Sequence, residues 1–256
     1  MSKGLTVYFQ KHEWGNTTLP DFVQCLEDAY KQSTEKSLGE DFDVTEWCDT
    51  WLNTSGINIL EPEVEVQDGQ LESLKIKQSL GLKGKNRLRL QRLNVSLFDV
   101  AGGEPIVISG VVISDKEELT NVDLSSLPKD FKYGAVYVNE GEHAYAKMRF
   151  DAQSIDWFTE NLHTIKNALT RSAIWYHFWM LMIDKRMPSL KYIELVQKQL
   201  PREPIAQILQ EGLFRLSALI KNYVPTDMVK EKMEAFFNTL VQLLTKEGVN
   251  KDAIVD

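Results

Sequence analysis

The chain has 256 residues, 43% of them hydrophobic and 26% charged, which is enough apolar sequence to bury a core and too much for a disordered chain. Its 29 basic and 37 acidic residues leave a net charge of −8, which repels phosphate backbones and anionic lipid and argues against nucleic acid or a membrane surface as partner. Two cysteines, Cys25 and Cys48, make no disulfide framework, and a reducing, cytoplasmic compartment is the expectation.

Residues 1–56 read as helical. Met1 to Gly4 lead into mixed polar sequence without the apolar core of a signal peptide. Thr18 followed by Asp21 resembles a helix start, and Phe22, Leu26 and Tyr30 recur at spacing four on one face. The polar stretch Ser33 to Gly39 reads as a connecting loop. Asp43 with Glu46 three residues on resembles a capping box for a second helix carrying Trp47, Cys48 and Trp51, with Gly56 as its stop. Both cysteines fall on the apolar sides of these helices, as small buried residues do.

Residues 57–151 carry β signals. Pro62 belongs near a strand end or edge, Val64 and Val66 alternate with acidic residues, and Asp68-Gly69 is a turn. Leu71, Leu74 and Ile76 lead into the next strand. Leu88 and Leu90 oppose Arg87, Arg89 and Gln91 in a strand continued by Val95, Leu97 and Phe98 and ended by Ala101-Gly102-Gly103. Ile106-Val107-Ile108 and Val111-Val112-Ile113 are short runs separated by Ser109-Gly110, and alternation resumes from Tyr145 to Phe150. Short strands with Gly or Asp turns predict a small antiparallel β-sandwich.

Residues 152–256 are helical again. Phe158, Leu162 and Ile165 form one stripe; Leu169, Ile174, Trp175, Phe178, Trp179 and Met182 form a wider one, as on a deeply buried helix. Pro188, Pro201, Pro204 and Pro225 separate the periodic runs, of which Ile205 to Tyr223 and Met228 to Thr245 are two. The expected fold is mixed α and β: a short helical segment, an antiparallel sandwich, then an α-helical domain of stacked, superhelical helix pairs. The longest apolar stretch, Ala173 to Ile183, is too short to span a bilayer, which takes roughly 20 residues.

No catalytic constellation emerges. His12-Glu13-Trp14-Gly15-Asn16 approaches the zinc motif His-Glu-x-x-His, but Asn16 is a poor zinc ligand, and a polar loop is the better reading. Glu140-Gly141-Glu142-His143 offers two carboxylates and an imidazole, yet its glycine and its place before a strand point to a solvated turn. His163 and His177 read as packed or surface histidines. Gly102-Gly103 lacks the Lys-Ser/Thr of a phosphate loop. Lys83, Lys85, Arg87, Arg89 and Arg92 form a basic strip read as one solvated strand face with its loop.

Several stretches nevertheless resemble the aminopeptidase N family of zinc metallopeptidases, of the bacterial and protist type, in the region after the catalytic centre. They are Asn16 to Phe22, Trp47 to Trp51 with Leu52 to Ile57, Leu88 to Asp99, His143 to Asp151, and Leu169 to Trp175, in consistent order. The resemblance implies a division into the end of a catalytic domain (1–56), a small β-sandwich (57–151) and the start of a C-terminal helical domain (152–256), short for the family. The family removes N-terminal residues from peptides with zinc. Its His-Glu-x-x-His signature with a later Glu, and its Gly-x-Met-Glu-Asn strand, are absent from this sequence. No catalytic or metal residue is therefore assigned, substrate-binding residues stay unassigned, and the chain alone is expected to be inactive.

The apolar faces of Phe22, Leu26, Trp47 and Trp51 would normally lean on the catalytic domain; an exposed patch there would bind that domain or a second copy. The alternative is a stand-alone module that binds peptides or proteins; a third reading is a hydrolase built on His143.

Overall fold

The computed structural model describes residues 2–33, 38–39, 42–81 and 87–245. Three helices come first: α1 (Ser2–Lys11), α2 (Leu19–Lys31) and α3 (Val44–Leu52). Helix α1 is an addition to the sequence reading, and it depends on a glycine. A Cβ at Gly4 would lie 2.7 Å from Leu26 Cδ2 and 2.9 Å from Leu26 Cα, so only glycine lets α1 rest directly on α2. Helix α2 starts where expected: the N–H and hydroxyl of Thr18 donate to Asp21 Oδ2 at 2.8 and 2.7 Å. Helix α3 begins with the Asp43 carboxylate accepting from Glu46 N at 2.9 Å. It ends at Leu52 rather than at Gly56, whose φ of 80° places it in the bend towards the first strand. Of the connecting loop, Ser33, Leu38 and Gly39 are described.

The strands are β1 (Asn58–Gln67), β2 (Gln70–Leu80), β3 (Gln91–Asp99), β4 (Ile106–Ile113), β5 (Leu119–Asn121), β6 (Tyr133–Glu140) and β7 (Ala146–Met148). They form a sheet ordered β5-β2-β1-β7 and a second ordered β4-β3-β6. Asp68 and Gly69, at φ 52° and 78°, make the two-residue turn between β1 and β2. Pro62 is tolerated by position: Leu60 O accepts from Arg149 N, Pro62 faces the same way two residues on, and β7 pairs only with Asn58 to Leu60.

Three details differ from expectation. Strand β7 runs parallel to β1, because the chain leaves β6 by a tight turn, crosses to the first sheet and continues alongside β1, so the sheets are not wholly antiparallel. The two runs around Ser109-Gly110 are one strand with a bulge, in which Gly110 at φ 75° donates its N–H to Asn94 Oδ1 at 2.9 Å. Residues 87–90 precede β3 instead of forming it.

The helices that follow are α4 (Ala152–Asn161), α5 (Ala168–Ile183), α6 (Ser189–Gln199), α7 (Ala206–Tyr223) and α8 (Val229–Thr245), with Pro188, Pro201, Pro204 and Pro225 between them. One hydrophobic core runs from both sheets into these helices, from Leu60, Val95 and Val136 through Phe158 and Phe178 to Leu216. Helix α5 is buried on several sides, although Leu169, expected inside, is half exposed at its start. The sheet-to-helix junction is polar and closed. Asp151 caps α4 by accepting from Ser154 N at 3.1 Å and from the Tyr133 hydroxyl at 2.8 Å, while Ser154 Oγ accepts from Val136 N at 2.9 Å. Behind it, Arg171 is paired with Glu203 at 3.0 and 2.8 Å, and its Nη1 donates to Ile165 O and Lys166 O at 2.6 and 3.0 Å. A smaller second core holds α2 and α3 together through Val23, Leu26, Val44 and Cys48.

Candidate functional site

The histidines stay apart in role. His12 lies in the turn after α1, its ring 5.4 Å from that of Tyr8, as a loop reading requires. His163 Nδ1 is 3.0 Å from Gln199 Oε1. His177 is buried between Tyr137 and Phe150.

In the Glu140–His143 turn, Glu142 and His143 are exposed, as a solvated turn implies, while Glu140 is half-buried and held by neighbours. Glu140 accepts from Ser96 Oγ at 2.9 Å, and from Thr170 Oγ1 and Asn167 Nδ2 at 2.7 and 3.1 Å, while the Tyr137 hydroxyl donates to Glu142. The turn sits over the start of α5, where helix dipole and side-chain donors draw a carboxylate in. Partial desolvation of its carboxyl, on a residue otherwise exposed, pushes Glu142 above its ordinary value. Among the described residues, no three of His, Cys, Asp or Glu form a group that could hold a metal ion. The donors do not fit a zinc site, and no catalytic step is assigned through one. Cys25 and Cys48 are buried free thiols, and burial pushes the Cys48 thiol up.

Where the sequence reading sees a solvated basic strip, the structure buries one of its members. Arg89 is 1% exposed. Its Nη1 donates to Asn58 Oδ1 at 2.7 Å, its Nη2 to Thr54 Oγ1 at 2.7 Å, and its backbone N–H to Gln78 Oε1 at 3.1 Å. The guanidinium lies 4.8 Å from the ring centre of Trp51, and burial holds its pKa below the ordinary value. Nearby, Trp47 Nε1 donates to Leu90 O at 3.1 Å and Asn58 Nδ2 to Arg87 O at 2.8 Å. Residues 87–90 thus run beneath α3 and fasten it to the sheets. Arg92 lies against the bulge, where a Cβ at Gly110 would meet its Nη2 at 2.8 Å. Lys83 and Lys85 lie outside the described residues.

Above this anchor opens a groove of about 690 Å³ between α1, α2, α3, the start of β3 and the Ala144–Tyr145 approach to β7. The apolar patch expected at Phe22, Leu26, Trp47 and Trp51 takes this form instead. Leu26 is buried, and the three aromatic residues are half-buried along the groove, because α2 and α3 close on each other and on residues 87–90. Exposed apolar side chains of this region include Phe9, Trp14, Leu19 and Leu52, with Trp14 held at φ 61° at the tip of the α1–α2 turn.

Residues 135–253, from within β6 through the helices that follow, match the family model of the ERAP1-like C-terminal domain. Over 228 residues, 86% of this chain, the sequence is 31% identical to the aminopeptidase N of Streptomyces lividans. These matches make the chain similar to the C-terminal region of aminopeptidase N. It spans 25% of the length of that relative. The segments that carried the resemblance fall on the start of α2, on α3, on β3 and the residues before it, on the β7 approach to the α4 cap, and on α5. Among the described residues, no helix is long and apolar enough to cross a membrane.

Proposed function

We propose that this chain serves as the non-catalytic C-terminal part of an aminopeptidase N-like zinc metallopeptidase, an enzyme type that removes N-terminal residues from peptides. The observation that carries this reading is the identity to aminopeptidase N over 86% of the chain. In this reading the chain divides at 1–56, 57–151 and 152–256 into the end of a catalytic domain, a small sandwich and the start of a helical domain. It braces the catalytic part and walls the peptide chamber. Exposed Phe9, Trp14 and Leu19 supply an apolar face for that part or for a second copy. A cytoplasmic, reducing location belongs to the same proposal and is supported by two buried free thiols.

The test is reconstitution. The chain is mixed with a separately produced catalytic part of an aminopeptidase N and assayed on an aminoacyl-p-nitroanilide with zinc present. The expected result is no turnover by the chain alone, and a complex that is more active and more heat-resistant than the catalytic part alone. Zinc-dependent turnover by the chain alone would overturn the proposal, as would failure to associate at micromolar concentrations of both.

A further inference from the structure

We infer that Asp68 is an isoaspartate-forming site that the folded chain holds latent, and that Lys132 is the residue that guards it. Asp68-Gly69 is the one Asp-Gly pair in the sequence, and there is no Asn-Gly pair. Glycine after aspartate leaves the backbone nitrogen without a side chain to shield it. In the reaction the Gly69 nitrogen attacks Asp68 Cγ and an N–Cγ bond forms. The nitrogen loses its proton and the carboxyl loses a hydroxyl, and the two leave as one water. Water then opens the five-membered succinimide at either carbonyl. One opening returns aspartate; the other leaves isoaspartate, with the main chain running through Cγ. No other reagent is consumed, and both residues are exposed to solvent.

The folded turn opposes this step. Asp68 and Gly69, at φ 52° and 78°, close the two-residue turn between Gln67 and Gln70. A turn of this hand sets ψ of its first central residue at about 30°. Gly69 N then lies across the Cα–C bond from Asp68 Cβ, on the side away from Cγ. Attack needs the two atoms within roughly 3–3.5 Å, so the Asp68–Gly69 peptide has to turn over. Two contacts hold it. Lys132 Nζ donates to Asp68 O at 3.0 Å, and Tyr133 N donates to Gly69 O at 2.9 Å. The Lys132 stem lies over the turn, its Cδ 3.3 Å from where a Gly69 Cβ would stand. Lys132 is itself fixed by the end of β3: its N–H donates to Asp99 Oδ2 at 2.8 Å, and its carbonyl accepts from Val100 N at 2.9 Å. The latch therefore belongs to the second sheet, and parting it from the first frees the turn. Isoaspartate adds a methylene to the main chain, so a two-residue turn no longer closes Gln67 against Gln70, and the change marks a past opening.

The experiment ages the full chain at pH 6 and 37 °C, folded in buffer and unfolded in guanidinium chloride. Isoaspartate is read by radiolabelled methyl transfer from S-adenosylmethionine with an isoaspartyl methyltransferase, and located by electron-transfer fragmentation of the peptide carrying Asp68. The unfolded chain should form isoaspartate at Asp68, and the folded chain at least tenfold more slowly. Lys132→Ala should raise the folded rate roughly three- to tenfold, as loss of one hydrogen bond implies, with circular dichroism and unfolding midpoint unchanged. Lys132→Arg, which keeps a donor there, should bring the rate back towards the parent. Asp68→Glu would need a six-membered ring and should abolish the signal at that position. Equal rates in the folded and unfolded chain, no isoaspartate at Asp68 in the unfolded chain, or a parental rate in Lys132→Ala would overturn the inference. The folded–unfolded comparison needs no variant, so the result does not depend on how the substitutions fold.

Discussion

Acidification is expected to loosen this fold through one imidazole. His177 is 3% exposed, its ring centre 6.2 Å from that of Tyr137 and 6.4 Å from that of Phe150, and its Nδ1 has no hydrogen-bond partner among the described residues. Burial lowers its pKa from 6.5 to about 4. Between those values the unfolded chain holds a proton that the folded chain refuses. Stability is therefore fully present above pH 6.5 and drains away as the pH falls towards 4, by roughly 3 kcal/mol from this residue. His177→Phe keeps the ring and removes the titration. Urea unfolding of both proteins at pH 7.5, 6, 5 and 4 isolates the effect, since carboxylates common to the two cancel in the difference. The variant should match or exceed the parent at pH 7.5, and the gap should widen by about 3 kcal/mol by pH 4. Parallel pH profiles would refute the reasoning and mean that the imidazole finds water or a partner in the folded state.

Further outcomes follow from the same geometry. Arg171→Met should cost about 3–5 kcal/mol in urea unfolding by leaving the Glu203 carboxylate buried and unpaired, while Arg171→Met with Glu203→Leu should recover most of that loss. Ser154→Ala should cost about 1–3 kcal/mol, since Val136 N–H loses its acceptor inside the sheet-to-helix junction. Gly134→Ala should destabilise by more than about 2 kcal/mol in the same assay. Its Cβ would sit 2.7 Å from Trp157 Nε1 and 2.9 Å from the carbonyl carbon of Asp99, a backbone atom that cannot swing aside. Arg89→Met should cost about 2 kcal/mol or more in the same assay, since Asn58 Oδ1 and Thr54 Oγ1 lose their buried donor.

What could be read from the sequence was what depends on near neighbours. The cap at Thr18 and Asp21, the cap at Asp43, the Asp68-Gly69 turn and the proline breaks each rest on contacts within a few residues, and each stands in the structure. Strand β6 went unread for a physical reason. Tyr133 to Val138 is buried on both faces, between its own sheet's core and α4, so it carries no alternation. Helix α1 was missed because a glycine and β-branched residues lower its intrinsic propensity. Its fit against Leu26 is a tertiary fact.

Arg89 shows the limit most clearly. Alternation groups Arg87, Arg89 and Gln91 on one face of the chain, yet Arg87 is exposed while Arg89 and Gln91 are buried. It does not tell what covers that face. Here the cover is α3, brought back by the bend at Gly56 and fixed by the Trp47–Leu90 hydrogen bond. A guanidinium that would be a solvated charge on an open sheet becomes the central bond between the helical start and the strands. The groove beside it arises from the same event, because closing α3 over residues 87–90 turns the apolar faces of two helices inward without filling the space between them. Sequence alone sees the aromatic residues and the basic residues as separate runs some forty residues apart. Only the fold makes them walls of one space.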